Sequence, residues 1–163
     1  MAKDLSFDIV SQVDMQELDN ALNQTKKEIS QRYDFKGSIV DIVQNKDSIK
    51  IVAEDEYRIN AALEILKAKM VKRNIPPKNL QCDKIESAFS GNKKLEIKVQ
   101  NGISKEKAKD VVAAIKALKL KVTSEIQDEK IRVSGAKKDE LQTVIHALKE
   151  KDFGIELQFI NYR

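Results

Sequence analysis

Apolar residues recur at every second position in some stretches and at three- and four-residue spacing in others. Their order along the 163 residues is strand, helix, strand, strand, helix, strand, run through twice. Short connections join the paired middle strands of each run, and another, Ser90-Gly91-Asn92, joins one run to the next. These observations predict an α+β fold of two ferredoxin-like (RNA-binding-module-like) βαββαβ domains. Each is expected to be a four-stranded antiparallel sheet with two helices on one face. The turn at 90–92 sets the strand at 93–100 antiparallel against the strand at 80–89, in the slot of the first module's own first strand. By symmetry the strand at 5–9 pairs beside the closing strand, so the two modules are expected to exchange first strands. The first module then comprises 12–101, with 93–100 in its first-strand slot, and the second comprises 1–11 plus 102–163.

Leu5, Phe7 and Ile9 alternate with Ser6 and Asp8, the period of a half-buried strand. Asp14 opens a helix, with Glu17 three residues on in capping-box fashion and Met15, Leu18, Leu22, Thr25 and Ile29 as its apolar stripe. The helix should run almost to Tyr33. Strands at 39–43 and 48–53 follow, joined through Asn45-Lys46-Asp47. A helix from about Asp55 turns Ile59, Leu63, Leu66 and Met70 inward, and Pro76-Pro77 prevents its continuation. After the strands at 80–89 and 95–99, Ser104 caps a Lys-rich helix with Ala108, Val111, Ile115 and Leu118 inward. Strands at 122–126 and 131–133 turn through Asp128-Glu129. A helix over 137–152 and a closing strand through Ile155, Leu157 and Phe159 complete the chain.

Composition narrows the function classes. With 41% hydrophobic residues the chain buries a real core, and a net charge of +4 falls short of a dedicated duplex-DNA binder. The charge is uneven: residues 1–91 carry 14 Lys/Arg against 15 Asp/Glu, and residues 92–163 carry 16 against 11. The second half is the expected polyanion face. Cys82 is the only cysteine, which excludes an internal disulfide and a Cys-based metal cluster. No apolar run marks a signal peptide or a membrane span, so a reduced, cytoplasmic setting is expected.

Catalytic constellations are scarce. Neither a P-loop nor a Gly-x-Gly-x-x-Gly fingerprint occurs. His146 lies just off the Leu141, Ile145, Leu148 stripe and reads as a solvated helix flank, Cys82 as buried strand filler, and Asp152-Phe153-Gly154 as a helix exit. No catalytic residue, metal or cofactor is expected.

The densest chemistry is Arg32-Tyr33-Asp34-Phe35-Lys36-Gly37-Ser38, which holds two cations, two of the chain's eight aromatic residues, a carboxylate and a glycine. One reading is a phosphate-and-base contact loop: Tyr33 and Phe35 stack, Arg32 and Lys36 meet phosphates, and Gly37 lets backbone N–H groups approach. The other is a helix end with basic residues on its dipole, an aromatic pair plugging the core, and Gly37 starting the next strand. Alternation puts Lys50, Val52, Lys94, Lys98 and Gln100 on the open face of the first sheet. On the second it puts Lys121, Thr123, Lys130, Arg132, Gln158 and Tyr162. Cations without paired stacking aromatics support salt-sensitive, weakly specific phosphate contact, to which Lys121, Lys130 and Arg132 are assigned. Val10, Ile160 and Tyr162 are the candidate apolar patch of an alternative, an oligomeric protein-interaction scaffold with incidental nucleotide affinity.

The 32–38 stretch resembles the signature of the bacterial YajQ family. Asn101-Gly102-Ile103-Ser104-Lys105, Leu118-Lys119-Leu120-Lys121-Val122, Lys130-Ile131-Arg132-Val133-Ser134-Gly135, Lys138-Asp139-Glu140-Leu141-Gln142 and Leu157-Gln158-Phe159-Ile160-Asn161-Tyr162-Arg163 agree with its pattern in order. The resemblance implies a non-enzymatic cytosolic protein that binds purine nucleotides such as GTP and ATP, with tRNA association described for some members and cyclic di-GMP for others. It transfers no residue-level site, so Arg32, Tyr33, Phe35, Lys36 and Gly37 rest on the physical reading alone.

Overall fold

The computed structural model describes residues 4–163. In chain order they form β1 (Leu5–Val10), α1 (Met15–Gln31), β2 (Val40–Asn45), β3 (Ser48–Ala53), α2 (Glu56–Lys72), β4 (Leu80–Cys82), β5 (Glu86–Ser87) and β6 (Lys93–Val99). There follow α3 (Lys105–Ala117), β7 (Val122–Gln127), β8 (Lys130–Gly135), α4 (Lys138–Lys149) and β9 (Gln158–Ile160). The fold is α+β, with four helices and two antiparallel sheets. Two compact units divide the chain, one of Val13–Gln100 and the other of residues up to Gln12 together with Asn101–Arg163.

In the unit Val13–Gln100 the strand order is β2-β3-β6-β4, with β5 also paired to β6. Asp14 caps α1, its Oδ1 accepting from the N–H groups of Gln16 at 3.0 Å and Glu17 at 3.2 Å. The expected reciprocal capping bond is replaced: Glu17 accepts from Arg73 Nη1 at 2.9 Å and Asn20 Nδ2 at 3.1 Å, which pins the start of α1 to the end of α2. Thr25 stays in the buried stripe because its hydroxyl donates to the Ala21 carbonyl at 2.7 Å. Leu18, Ile51, Ile59, Leu66 and Ile97 are each at most 1% exposed, and each such burial stabilises by about 1.5–3 kcal/mol. Lys50 and Lys98 are exposed, and Val52, Lys94 and Gln100 are half-buried, all outside that core.

The strand expected over 80–89 is broken. Cys82 pairs with Ile97 and Glu86 with Lys94, so four residues advance on one strand against three on the other, the register slip of a β-bulge. Cys82 ends the three-residue edge strand and is exposed, which corrects its reading as buried filler.

The second unit orders its strands β7-β8-β1-β9. Its core takes Phe7, Ile9, Ile131 and Val133 from the sheet and Val111, Ile115, Leu141, Val144 and Leu148 from α3 and α4. The closing strand is shorter than expected: only Gln158–Ile160 pair, and Ile155 is buried from the preceding loop. Both middle hairpins turn in two residues, and the first of each pair, Lys46 (φ 43°) or Asp128 (φ 54°), takes the left-handed conformation. His146 is exposed.

Asp8, in the centre of this sheet, is 1% exposed and fully partnered. Arg132 Nε donates to its Oδ1 at 3.0 Å, Asn161 Nδ2 to its Oδ2 at 2.8 Å, and Lys130 Nζ lies 3.7 Å from Oδ2. Asn161 reaches inward from a left-handed conformation, φ 57°. Ile160 pairs with Asp8, yet it is Arg163 whose N–H and carbonyl meet Ser6, at 2.9 and 3.3 Å. Three residues therefore advance against two, a bulge that reverses the alternation beyond Ile160. Tyr162 consequently turns to the helix-bearing side, its ring centroid 6.2 Å from that of Phe7. This corrects its expected place on the open face. With Val10 buried at 4%, the apolar patch of Val10, Ile160 and Tyr162 does not assemble. No helix among the described residues is long and apolar enough to cross a membrane.

Burial pushes the Asp8 carboxyl up, but hydrogen bonds from Arg132 and Asn161, with the charges of Arg132 and Lys130, outweigh it and hold the group below its ordinary range. An acid so depressed adds stability above its unfolded value near 3.9 and loses it as pH falls through the folded value. Asp8→Asn should therefore cost about 1–3 kcal/mol at neutral pH in denaturant titrations. The variant should also lose less stability than the wild type between about pH 5 and pH 2; equal acid limbs would contradict this pairing.

Candidate functional site

The 32–38 loop is held by its own side chains. The Arg32 N–H continues the helix ladder to the carbonyls of Glu28 and Ile29 at 3.0 and 3.3 Å, and Tyr33–Phe35 then tightens into a single 3₁₀ turn. Arg32 makes a two-pronged pair with Asp34, Nε to Oδ1 at 3.0 Å and Nη2 to Oδ2 at 2.8 Å. Its guanidinium carbon also lies 5.3 Å from the centroid of the Phe35 ring. The Arg32 hydrogen bond holds the Asp34 carboxyl below its ordinary range. Phe35 is 4% exposed and belongs to the core. Of the aromatic pair expected to plug the core, only Phe35 does so, and Arg32 pairs with Asp34 within the loop. Tyr33, 90% exposed, and Lys36 face solvent.

Gly37 takes φ +75°, and nothing lies within 4 Å of where a Cβ would project. Backbone conformation rather than crowding demands glycine here, while the Lys36 and Ser38 N–H groups on either side donate to the Tyr33 and Phe35 carbonyls at 3.1 and 3.0 Å. Beside it runs a groove of about 460 Å³ between the last turns of α1, the loop and the start of the edge strand β2. Ile29, Phe35, Val40 and Ile42 supply its apolar lining. Lys26, Lys36, the hydroxyls of Ser30 and Ser38, and the carboxylate of Asp41 supply its polar lining. Neither Lys26 nor Lys36 is in an ion pair among the described residues, in contrast to Arg32.

Lys26, Ser30 and Asp41 are the lining groups that reading the sequence missed. Helical spacing carries the signal for the first two, because Lys26, Ile29 and Ser30 stand three and four residues apart on one face of α1. Asp41 follows from the sheet order, which makes β2 an edge.

The other three nominated residues fall in the other unit. Lys130 and Arg132 are committed to Asp8. Lys121 is exposed in the connection from α3 to β7, the counterpart of the 32–38 loop in the second repeat. A groove of about 350 Å³ sits at this equivalent place, with Lys116, Leu120, Val122, Thr123 and Ser124 among its lining, but without a glycine or an aromatic residue. Of the eight nominated residues, five lie in the unit Val13–Gln100 and three in the other. Five share one loop, of which Tyr33, Lys36 and Gly37 are accessible.

The description of the family model that matches residues 5–163 is "Nucleotide-binding protein YajQ-like". A nucleotide-binding protein of Geotalea uraniireducens is 55% identical over 158 residues, 97% of this chain and 98% of its own. One of Carboxydothermus hydrogenoformans is 56% identical over 165 residues that span both chains completely. A third, from Geobacter metallireducens, is 58% identical over 158 residues, again 97% and 98% of the two chains. On this match, which leaves out only the first four residues, the chain belongs to the YajQ family.

Proposed function

We propose that the protein binds purine nucleotides, free or within RNA, without turning them over, and that the groove beside the 32–38 loop is the binding site. The observation that carries this is the meeting of two unpaired ammonium groups, Lys26 and Lys36, with a left-handed glycine, two hydroxyls and an apolar floor in one groove. Polyphosphate oxygens would be met by the lysines and by the Gly37 N–H, since the Lys36 and Ser38 N–H groups donate within the loop. Tyr33, on the same loop, offers an uncovered ring to a base. The Arg32–Asp34 pair spans the loop residue that carries this ring. Names of the relatives support nucleotides as the ligand class.

Asp41 is the one carboxylate among the groove's lining residues. A carboxylate accepts from the N1–H and N2 amino groups of guanine, whereas adenine presents no donor pair there. We therefore infer a preference for guanine nucleotides, GTP and cyclic di-GMP, over ATP. A lone carboxylate supplies no acid and base pair, which supports binding without hydrolysis. RNA, tRNA included, would be met by the same two lysines, while Lys130 and Arg132 stay on Asp8. Pairing of β1 with β8 and β9, and of β6 with β3 and β4, supports two ferredoxin-like modules that exchange first strands. A bacterial cytoplasmic setting suits an exposed, unpaired Cys82.

Calorimetric titration of nucleic-acid-free protein with GTP, ATP, cyclic di-GMP and a short single-stranded RNA tests the reading. Lys36→Ala should weaken GTP by about tenfold, and the Lys26→Ala, Lys36→Ala double variant by more. Unchanged affinity in the folded double variant contradicts the site. For RNA, each lysine removed should lower the log–log salt slope by about one unit.

Tyr33→Ala should weaken binding by at least about fivefold while Tyr33→Phe retains it, because stacking needs the ring and not the hydroxyl. Asp41→Asn should narrow the ratio of GTP to ATP affinity; a ratio left intact removes the guanine assignment but not the groove.

A further inference from the structure

The bulge at Asn161 carries more consequence than a strand ending requires. A left-handed residue anchored to a buried carboxylate turns Tyr162 across the sheet edge. Bulges that re-aim a side chain recur beside binding sites. Tyr162 arrives at a groove of about 260 Å³ between β1 and α4, where Leu5, Phe7, Leu141 and Ile145 form apolar walls. Its ring lies tilted by 33° against Phe7 yet remains 62% exposed, so a wide aromatic surface stays uncovered beside an apolar floor. Lys138 and Arg163 line the same groove, both are exposed, and neither is in an ion pair among the described residues.

Apolar walls, a free ring face and two unpaired cations complement one kind of small molecule. We propose that this groove binds a planar aromatic carboxylate, its ring against Tyr162 and the apolar walls and its carboxylate between Lys138 and Arg163. The volume lies just under the range of about 300–1,000 Å³ typical of drug-sized ligands, which suits one or two fused rings better than a nucleoside triphosphate. The site belongs to the other unit from the nucleotide groove and stands independently of that proposal.

Fluorescence titration with 1-naphthoate, and with 1-naphthalenemethanol as its uncharged counterpart, tests it on the full chain. Naphthoate should saturate at one per chain and bind about tenfold more tightly than the alcohol. Tyr162→Ala, and separately Lys138→Gln with Arg163→Gln, should each weaken naphthoate by about tenfold, the charge pair leaving the alcohol unaffected. Asn161→Val should lose binding, because it removes the bond to Asp8 and a β-branched residue resists φ > 0. The proposal is overturned by any of four results: no naphthoate binding, equal affinity for acid and alcohol, wild-type affinity in folded Tyr162→Ala, or displacement of naphthoate by GTP.

Discussion

A strand in the interior of an antiparallel sheet must find hydrogen-bonding partners along both edges. In each unit such a place is taken by a strand from outside the helix–hairpin–helix run it serves. β6 lies between β3 and β4, and β1 lies between β8 and β9. Filling those interior positions pushes β2 and β7, the first strands of the two hairpins, to the edges. Each edge strand is reached from the end of a helix, α1 or α3, and an open groove forms at each of these helix-to-strand junctions. The two grooves are therefore a product of topology, and they differ in what their connections contribute. The loop at 32–38 adds an aromatic plug, a clipped guanidinium and a left-handed glycine; its counterpart near Lys121 adds Lys116 and Leu120 to a lining without aromatic residues.

Charge alone is a poor guide to which cations are available to a ligand. Arg32, Lys130 and Arg132 look like phosphate contacts in the sequence, yet all three face carboxylates within 4 Å. Each is held by that acidic partner. Arg32 shapes the loop that presents Tyr33 and Lys36, while Lys130 and Arg132 keep the buried Asp8 ionised. Asp8 in turn holds Asn161, the bulge and the face on which Tyr162 appears. An uncompensated carboxylate at that depth would cost several kcal/mol, so those cations are tied to the integrity of the sheet.

Periodicity made much of the fold legible. Element order, the caps at Asp14 and Ser104, the hairpins and the inward stripes are local properties of the chain. Legibility ended where one residue departs from a regular ladder. The bulge between Cys82 and Glu86 splits a strand that alternation reads as continuous, and the one at Asn161 reverses the face of Tyr162. Partner choice was equally hidden: Glu17 satisfies both the capping-box spacing and the bond to Arg73, and only the packing of α2 against α1 selects the latter. At the candidate site the loop was visible as a concentration of chemistry. Lys26 and Asp41 were not, because they join it only through the approach of a helix face and a sheet edge.

The most direct measurement is amide chemical-shift mapping of the isotopically labelled protein during titration with GTP. Lys26, Ser30, residues 33–38 and Asp41 should shift together with one saturation curve, while the amides of Asp8, Lys130 and Arg132 stay unmoved. Shifts centred on those last three, with the 32–38 loop silent, would contradict the account and move the nucleotide to the other unit.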